Sequence, residues 1–567
     1  MERHPLLGTL VDPDPRRGIR FHDGRGGWDF HPYTELARAA FAAADRLRSL
    51  GVVPGDLVVL ATGTGPEFVA AFLGTVAAGA TPAPLAPPGV FEDADAHRRH
   101  AERMFASVRP KVVVTRPEWG PGAVAAGPGR PRVLTVTMAG LSAAGAGPQI
   151  LARPPERALV QFTSGSVGRS KAVAVPAGAL SANLAAVRRW LRMGVSDATA
   201  TWLPFHHDMG LVGCLLTPLS IGADLWVMRP EDFVRTPLEW LRCFGTRGAR
   251  LTASPAFGLE HVVRRVRAES LEGMDFSGWS AVITGAERVP SRTLRLFAAL
   301  LSPFGFRSPA LLPAYGLAEA TLAVTGSSLD DEPRTLTVDP RALDVGRPVR
   351  PVTGGTGADG ADTVELTGCG SPVVSGSRVL VTDRLGRPLP EGHVGEIVVG
   401  GPSVAEGYTG ADAEAGAGVF SGGQIRTGDA GFLHRGELFV VGRLGDSLKC
   451  RATTVFAEDL EASVTRLPAL RTAGVAVLLG AAAGCDTAVV IVERRPGPWT
   501  EEIVRRLRHR VPGLDVIVVT GPRGTVLRTS SGKPRRRAMW RAYLAGELGG
   551  TVFESNVLDV ASAAPTG

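Results

Sequence analysis

The stretch FTSGSVGRSKAV, residues 162–173, gathers small residues, hydroxyls and one lysine behind a short apolar run. These are the residue types from which a backbone loop for phosphate is built. Gly165 and Gly168 give the backbone freedom that lets successive N–H groups face an anion. Thr163, Ser164 and Ser166 add hydroxyl donors, and Lys171 adds a charge. The spacing is not GxxxxGK[ST], because Lys171 follows Gly168 by three residues. Taken alone, a plain Gly/Ser turn explains the stretch equally well.

Four further stretches carry reactive side chains. LPFHHDMGLVG (203–213) places His206, His207 and Asp208 side by side. Consecutive residues on one backbone rarely chelate one metal, so a histidine set against a substrate at a strand end is the better reading. In LPAYGLAEATLAV (312–324), Glu319 opens an expected helix. It can hold Mg²⁺ through one carboxylate, or simply complement a helix dipole. RTGDAGF (426–432) puts Asp429 at an expected turn, where a carboxylate can accept two ribose hydroxyls or close an Asx-turn. RTSSGKPRRR (528–537) sets Lys533 after a Gly/Ser loop; a solvated basic tail is the rival reading.

Such side chains need a framework, and the chain is long enough for several domains at 567 residues. From residue 33 to about 285 helical and strand patterns alternate: YTELARAAFAAADRLRSL, GDLVVLATG, PEFVAAFLGTVAAGA, KVVVTRP, ATATWLP, ADLWVMR, RLTASP, SAVITGAE. That alternation predicts parallel α/β layers. Beyond about residue 326 the pattern changes to Asp, Gly, Thr and Pro, with PVTGGTGADGAD the most linker-like part. Short alternating strands follow in SRVLVTD, GEIVVGG and GELFVVG, as in an antiparallel subdomain. A last break near residue 443 precedes about 100 residues of mixed helix and strand.

The formal net charge of +7 is modest, and the basic residues are dispersed. The helix EEIVRRLRHRV is read as a solvated face, and no nucleic-acid partner is expected. The five cysteines form no CxxC pair and are expected to pack as small apolar residues in a reducing cytoplasm. The N-terminus lacks a signal-peptide core, and the longest apolar run, AGVAVLLGAAAG, is far below the ~20 residues of a membrane span.

In their order, FTSGSVGRSKAV, LPFHHDMGLVG, ITGAERV, LPAYGLAEATL, GEIVVGGPSVAEGY, RTGDAGFL, GELFVVGRLGD and RTSSGKPRR resemble the adenylate-forming acyl-activating superfamily. The likeness runs over residues 15–545 and is greatest to the fatty acyl-AMP ligases. It implies an α/β fold: a large N-terminal domain of two α/β layers plus a β subdomain (1–442, the subdomain at about 367–442), and a small mobile α+β C-terminal domain (443–567). It implies that a carboxylic acid and ATP give acyl-AMP and pyrophosphate, and that the acyl group then passes to the thiol of CoA or of a carrier protein's phosphopantetheine. Residues 163–171 would embrace the β and γ phosphates. Gly285, Ala286 and Glu287 would line the adenine, with Tyr315 stacking near it and Gly316 beside it. Glu319 would bind Mg²⁺; Asp429 and Arg443 would hold the ribose. Lys533 would bridge the carboxylate and the α-phosphate, and His207 would sit beside the acyl carbonyl. The resemblance suggests a long apolar acid, and a bulky aromatic or polycyclic one is equally open.

Three positions depart from the family pattern. Val167 stands where a threonine is usual, Gly445 where the hinge usually has Asp or Lys, and Ala452 where glycine normally faces the thiol-bearing arm. These departures keep two alternatives in view. One is a half-reaction enzyme that accepts preformed acyl-AMP and only forms the CoA thioester. The other is a non-catalytic acyl-AMP or nucleotide-binding protein.

Overall fold

The computed structural model describes residues 6–87, 94–119, 131–143, 155–163, 171–352, 363–416, 418–450, 453–471, 473–482, 484–529 and 532–554. Ser164, Gly165, Ser166, Val167 and Gly168 of the expected phosphate loop lie outside the described residues, as do Ala452 and most of PVTGGTGADGAD.

Alternation of apolar strands with amphipathic helices produces the expected parallel layers. The largest sheet has nine strands. Its inner strands Leu311–Gly316, Ala281–Thr284, Leu251–Ala253, Thr199–Thr201, Leu225–Val227 and Gly18–His22 are parallel. Antiparallel strands close both edges: Trp28–Pro32 on one side, Ala323–Gly326 and Ser371–Pro372 on the other. A second, wholly parallel sheet orders Thr81–Pro84, Leu57–Ala61, Val112–Thr115 and Arg132–Thr135. The helices Tyr33–Ser49 and Pro66–Ala77 join one extended apolar core with residues of both sheets. Proline at the first helical position of the second of these costs no hydrogen bond, since that N–H has no partner inside a helix.

A three-stranded antiparallel sheet holds Arg157–Thr163, Lys171–Pro176 and Gly407–Tyr408. The expected β subdomain is a five-stranded antiparallel sheet that includes Arg378–Thr382, Gly395–Gly400, Gln424–His434 and Glu437–Arg443. Further along, strands Val475–Ala482, Cys485–Val492, Asp515–Thr520 and Thr551–Glu554 form one sheet against helices Ala457–Thr465, Trp499–Arg510 and Arg536–Leu544. Among the described residues no helix is long and apolar enough to cross a membrane.

Three expectations need correction. Glu319 opens no long helix: a single 3₁₀ turn, Ala318–Ala320, leads straight into the antiparallel strand Ala323–Gly326. Thr321 takes a positive φ of 70° there, which a continuing helix forbids. Asp429 lies inside a strand rather than at a turn, where the pairing with Gly395–Gly400 is irregular. Such a bulge re-aims side chains. Of the cysteines, Cys214, Cys243, Cys369 and Cys450 are buried as expected, but Cys485 is exposed.

Candidate active site

The carboxyl ends of parallel strands are where open α/β sheets bind ligands, and the residues singled out from the sequence collect there. His206, His207 and Asp208 follow Thr199–Thr201, Gly285 to Glu287 follow Ala281–Thr284, and Tyr315 and Gly316 end Leu311–Gly316. Gly285 is packed close: a Cβ there would stand 2.7 Å from the Ala314 carbonyl oxygen, so two neighbouring strand ends abut. Ala286 is held at φ 68°, a left-handed conformation unusual for a residue with a side chain. Glu287 Oε1 accepts the Phe257 N–H at 3.3 Å.

Asp429 is bound from both sides. Tyr315 donates its hydroxyl to Oδ2 at 2.8 Å, and Arg443 donates Nε–H to Oδ1 at 2.8 Å. The pairing is a register partnership across adjacent strands, with Asp429 opposite Arg443. Attraction to Asp429 holds the guanidinium of Arg443 more firmly protonated still. Burial, reinforced by the Asp429 charge, pushes the Tyr315 phenol well above its usual range. Tyr315 is therefore a neutral donor and Asp429 a fixed acceptor.

Glu319 is half-buried, and its Oε1 accepts the hydroxyl of Tyr408 at 2.8 Å. Lys171 places its ammonium 4.3 Å from the centre of the Tyr408 ring, within the range of a cation–π contact. Thr163 pairs with Lys171 at the mouth of the hairpin that brackets residues 164–170. Tyr408 closes the quoted stretch GEIVVGGPSVAEGY and is assigned no role from the sequence. It comes into place because Gly407–Tyr408 pairs with Lys171–Pro176, a contact between residues over 200 apart in the chain, with no local sequence signal.

His207 and Asp208 are half-buried, and the charge of Lys533 acts on both. Desolvation, with Lys533 as the second cause, lowers the His207 imidazole to about 4, so it is neutral at physiological pH. Burial raises the carboxyls of Asp208 and Glu287, and Lys533 opposes the rise in each. His206 is also half-buried, its ring 4.4 Å from that of His207, and desolvation keeps it neutral. Asp208 Oδ1 accepts the Met209 N–H at 2.8 Å at the head of a π-helix, Met209–Leu216; such wide turns are rare and concentrate at functional sites. Lys533 itself is exposed and forms no ion pair among the described residues. Its loop is supported by Arg528, which donates to the Gly532 carbonyl at 2.8 Å. Gly532, at φ 83°, lies against the Phe257 ring, where a Cβ would come within 2.7 Å. The stretch around Lys533 is thus a loop seated against Phe257 of the helix Ala256–Arg265, followed by the helix Arg536–Leu544.

Gly316 has no room for a side chain, since a Cβ would sit 2.0 Å from the Leu322 carbonyl oxygen. Gly316→Ala is expected to destabilise the protein by about 1–3 kcal/mol through forced backbone displacement. The check is the urea midpoint, with nucleotide binding falling in parallel because the displaced strand carries Tyr315.

The family model described as AMP-binding enzyme matches residues 16–409. A putative acyl-CoA synthetase of Caulobacter vibrioides is 32% identical, over 94% of this chain and 94% of its own length. A 4-hydroxyphenylalkanoate adenylyltransferase of Mycobacterium tuberculosis is 30% identical, over 87% of this chain and 83% of its own. Among solved structures, one from work on the fatty acyl-adenylate ligases of E. coli and L. pneumophila superposes with a TM-score of 0.85 at 28% identity. It covers 96% of this chain and 97% of that one. The chain belongs to the AMP-binding enzyme family. It is an acyl-activating ligase, and ATP and AMP are its nucleotides.

Proposed function

We propose that this enzyme converts an apolar carboxylic acid, long or bulky, to its acyl adenylate with ATP. It then passes the acyl group to a phosphopantetheine thiol, of CoA or of an acyl carrier protein, in the cytoplasm. The observation that carries this reading is the seating of the Lys533 loop at the carboxyl ends of the parallel strands: Gly532 lies against the ring of Phe257, whose N–H donates to Glu287.

In the first step a carboxylate oxygen forms a bond to the α-phosphorus, the bond to the bridging oxygen breaks, and pyrophosphate leaves. The nucleophile is already ionised, so no strong base is required. The barrier is the approach of two anions, which positioning and fixed positive charge relieve. Lys533 supplies that charge, and neutral His207 gives a hydrogen bond beside the acyl carbonyl without adding another. Asp429, oriented by Tyr315 and Arg443, takes the ribose hydroxyls; Gly285, Ala286 and Glu287 face the adenine, with Tyr315 and Gly316 beside it. Thr163, Lys171 and the segment 164–170 receive the β and γ phosphates. In the second step the thiol sulfur bonds to the acyl carbon, AMP leaves with the electron pair, and the thiol proton goes to solvent.

Mg²⁺ fits the residues present. Among the described residues no group of three or more His, Cys, Asp or Glu side chains could hold a metal. A lone carboxylate such as Glu319, beside substrate phosphates and water, is how magnesium is usually bound. When bound, the ion would neutralise phosphate charge.

We place the domain boundary at 442/443, with 367–442 as the β subdomain and 443–567 turning as a unit about Gly445. A Cβ at Gly445 would meet an Arg537 guanidinium nitrogen at 2.6 Å, so glycine here lets Arg537 lie against the hinge. Val167, without the usual threonine hydroxyl, favours the half-reaction alternative. A hydrogen bond to a charged group is worth about 1.5–3 kcal/mol, or ten- to a hundredfold at about 1.4 kcal/mol per decade. Val167→Thr is therefore expected to raise acid-dependent pyrophosphate exchange by about tenfold or more. The full reaction is tested by supplying synthetic acyl-AMP with CoA or a loaded carrier protein. Thioester formation from acyl-AMP, with no exchange for any acid in wild type or Val167→Thr, would replace the proposal by the half-reaction enzyme.

A further inference from the structure

The turn that carries Glu319 is held in an unusual way. Thr321 has φ 70° and ψ −56° and is fully buried. The Leu322 N–H donates to the Ala320 carbonyl at 2.8 Å, across Thr321 alone. This is a γ-turn of the rare, strained hand, with a β-branched residue at its centre, where positive φ is a true outlier. Strain of this kind persists only when the surroundings over-determine it, and the surroundings here do so.

The Thr321 hydroxyl donates to the Ser403 carbonyl at 2.7 Å. Its own carbonyl accepts the Gln161 amide at 2.9 Å, and Gln161 is buried. Asn183 donates to the carbonyls of Ala320 and Ala323 at 3.3 and 3.0 Å and accepts the Ala323 N–H at 3.2 Å. The Glu319 carbonyl accepts the Ala405 N–H at 2.8 Å. Three separate elements thus converge on this short turn. Gln161 belongs to the strand Arg157–Thr163, whose last residue begins the Gly/Ser stretch.

We propose that Thr321 is a positioning residue for Glu319: its clamped γ-turn fixes where the carboxylate stands, and Gln161, through the Thr321 carbonyl, ties that turn to the strand leading into the phosphate-binding segment. A Thr321 that merely filled core volume would need neither the hydroxyl bond nor the strained backbone. The inference rests on the reading of Glu319 as the carboxylate that meets the divalent cation.

The test measures Mn²⁺ binding to the full chain saturated with α,β-methylene ATP, with no acid present, from the electron paramagnetic resonance of free Mn²⁺. Thr321→Val keeps the shape and loses the hydroxyl; Thr321→Ser keeps the hydroxyl. Gln161→Leu releases the carbonyl without altering the turn's own sequence and stands in should Thr321→Val not fold. Outer contacts of a metal ligand typically matter by ten- to a hundredfold in affinity. Thr321→Val and Gln161→Leu are expected to weaken Mn²⁺ about tenfold, and Thr321→Ser to stay within about twofold of wild type. Glu319→Gln is the control. If it weakens Mn²⁺ while Thr321→Val and Gln161→Leu bind as wild type, even with a lowered melting temperature, the positioning role is overturned. Equal losses in Thr321→Ser and Thr321→Val overturn the part assigned to the hydroxyl. If Glu319→Gln itself binds Mn²⁺ normally, the metal reading fails, and this inference fails with it.

Discussion

Lys533→Ala is expected to reduce acid-dependent pyrophosphate exchange by about 10²- to 10³-fold, the usual loss when one preorganised donor to developing charge is removed. Lys533 is exposed and forms no ion pair among the described residues. Its removal should therefore leave the melting temperature close to wild type, as surface substitutions generally do. A mutation that abolishes chemistry without touching stability identifies a group that acts on the substrate. The same variant, given acyl-AMP and a thiol acceptor, should lose far less thioester formation, because the charge it supplies belongs to the attack on phosphorus. Parallel exchange, thioester and thermal-melting measurements check all three expectations. The pH profile should also change. Lys533 is one cause of the low His207 pKa, so its loss lets the imidazole rise from about 4 toward its ordinary value.

The largest effect on stability should come from a residue three positions further on. Arg536 is largely buried and meets Asp446 at 3.3 Å, Glu458 at 3.3 Å and Glu461 at 2.8 Å. It ties the segment at Asp446 and the helix Ala457–Thr465 to the helix that follows Lys533. Arg536→Met leaves these carboxylates buried together without a cation, and breaking one side of a buried ion pair costs about 3–5 kcal/mol. Urea denaturation followed at several pH values should show this loss. Burial raises Glu458 from its ordinary value near 4.5 to about 7, against the pull of Arg536. Between those values the folded state holds a proton that the unfolded chain has released, so this group makes stability fall as pH rises toward 7. Glu458→Gln should flatten that dependence and stabilise the protein at pH 8 by on the order of 1–3 kcal/mol, at about 1.36 kcal/mol per pKa unit. In Arg536→Met the fall should extend to higher pH, because the raised carboxyl has lost the Arg536 charge that favours its ionised form.

Much of the framework was legible because it is local. Helices such as Tyr33–Ser49 and strands such as Leu57–Ala61 are written in short apolar periodicities and closed by glycines, and their alternation predicts the parallel sheets. The candidate site is drawn from the order of motifs along the chain. His207, Tyr315, Glu319, Arg443 and Lys533 fall at strand ends or in turns and loops, whereas Asp429 lies within the strand Gln424–His434. What could not be read is set by distant pairing. Asp429 looks like a turn residue because Gly428 precedes it, yet the neighbouring strand draws it into a bulged ladder opposite Arg443. Glu319 looks like the start of a helix because Ala320, Thr321 and Leu322 suit one. Bonds from Gln161, Asn183 and Ser403, each at least 80 residues away, turn the chain back instead. Tyr408 ends the stretch GEIVVGGPSVAEGY, but nothing local in it points to Glu319; strand pairing brings the two together.

Acid-dependent exchange of labelled pyrophosphate into ATP, measured over a panel of long-chain, aromatic and polycyclic acids, tests the central claim most directly. At least one acid is expected to drive exchange in the wild-type enzyme and not in Lys533→Ala. Equal exchange in the two proteins, or none in the wild type or Val167→Thr with any acid, would contradict an adenylating site built around Lys533.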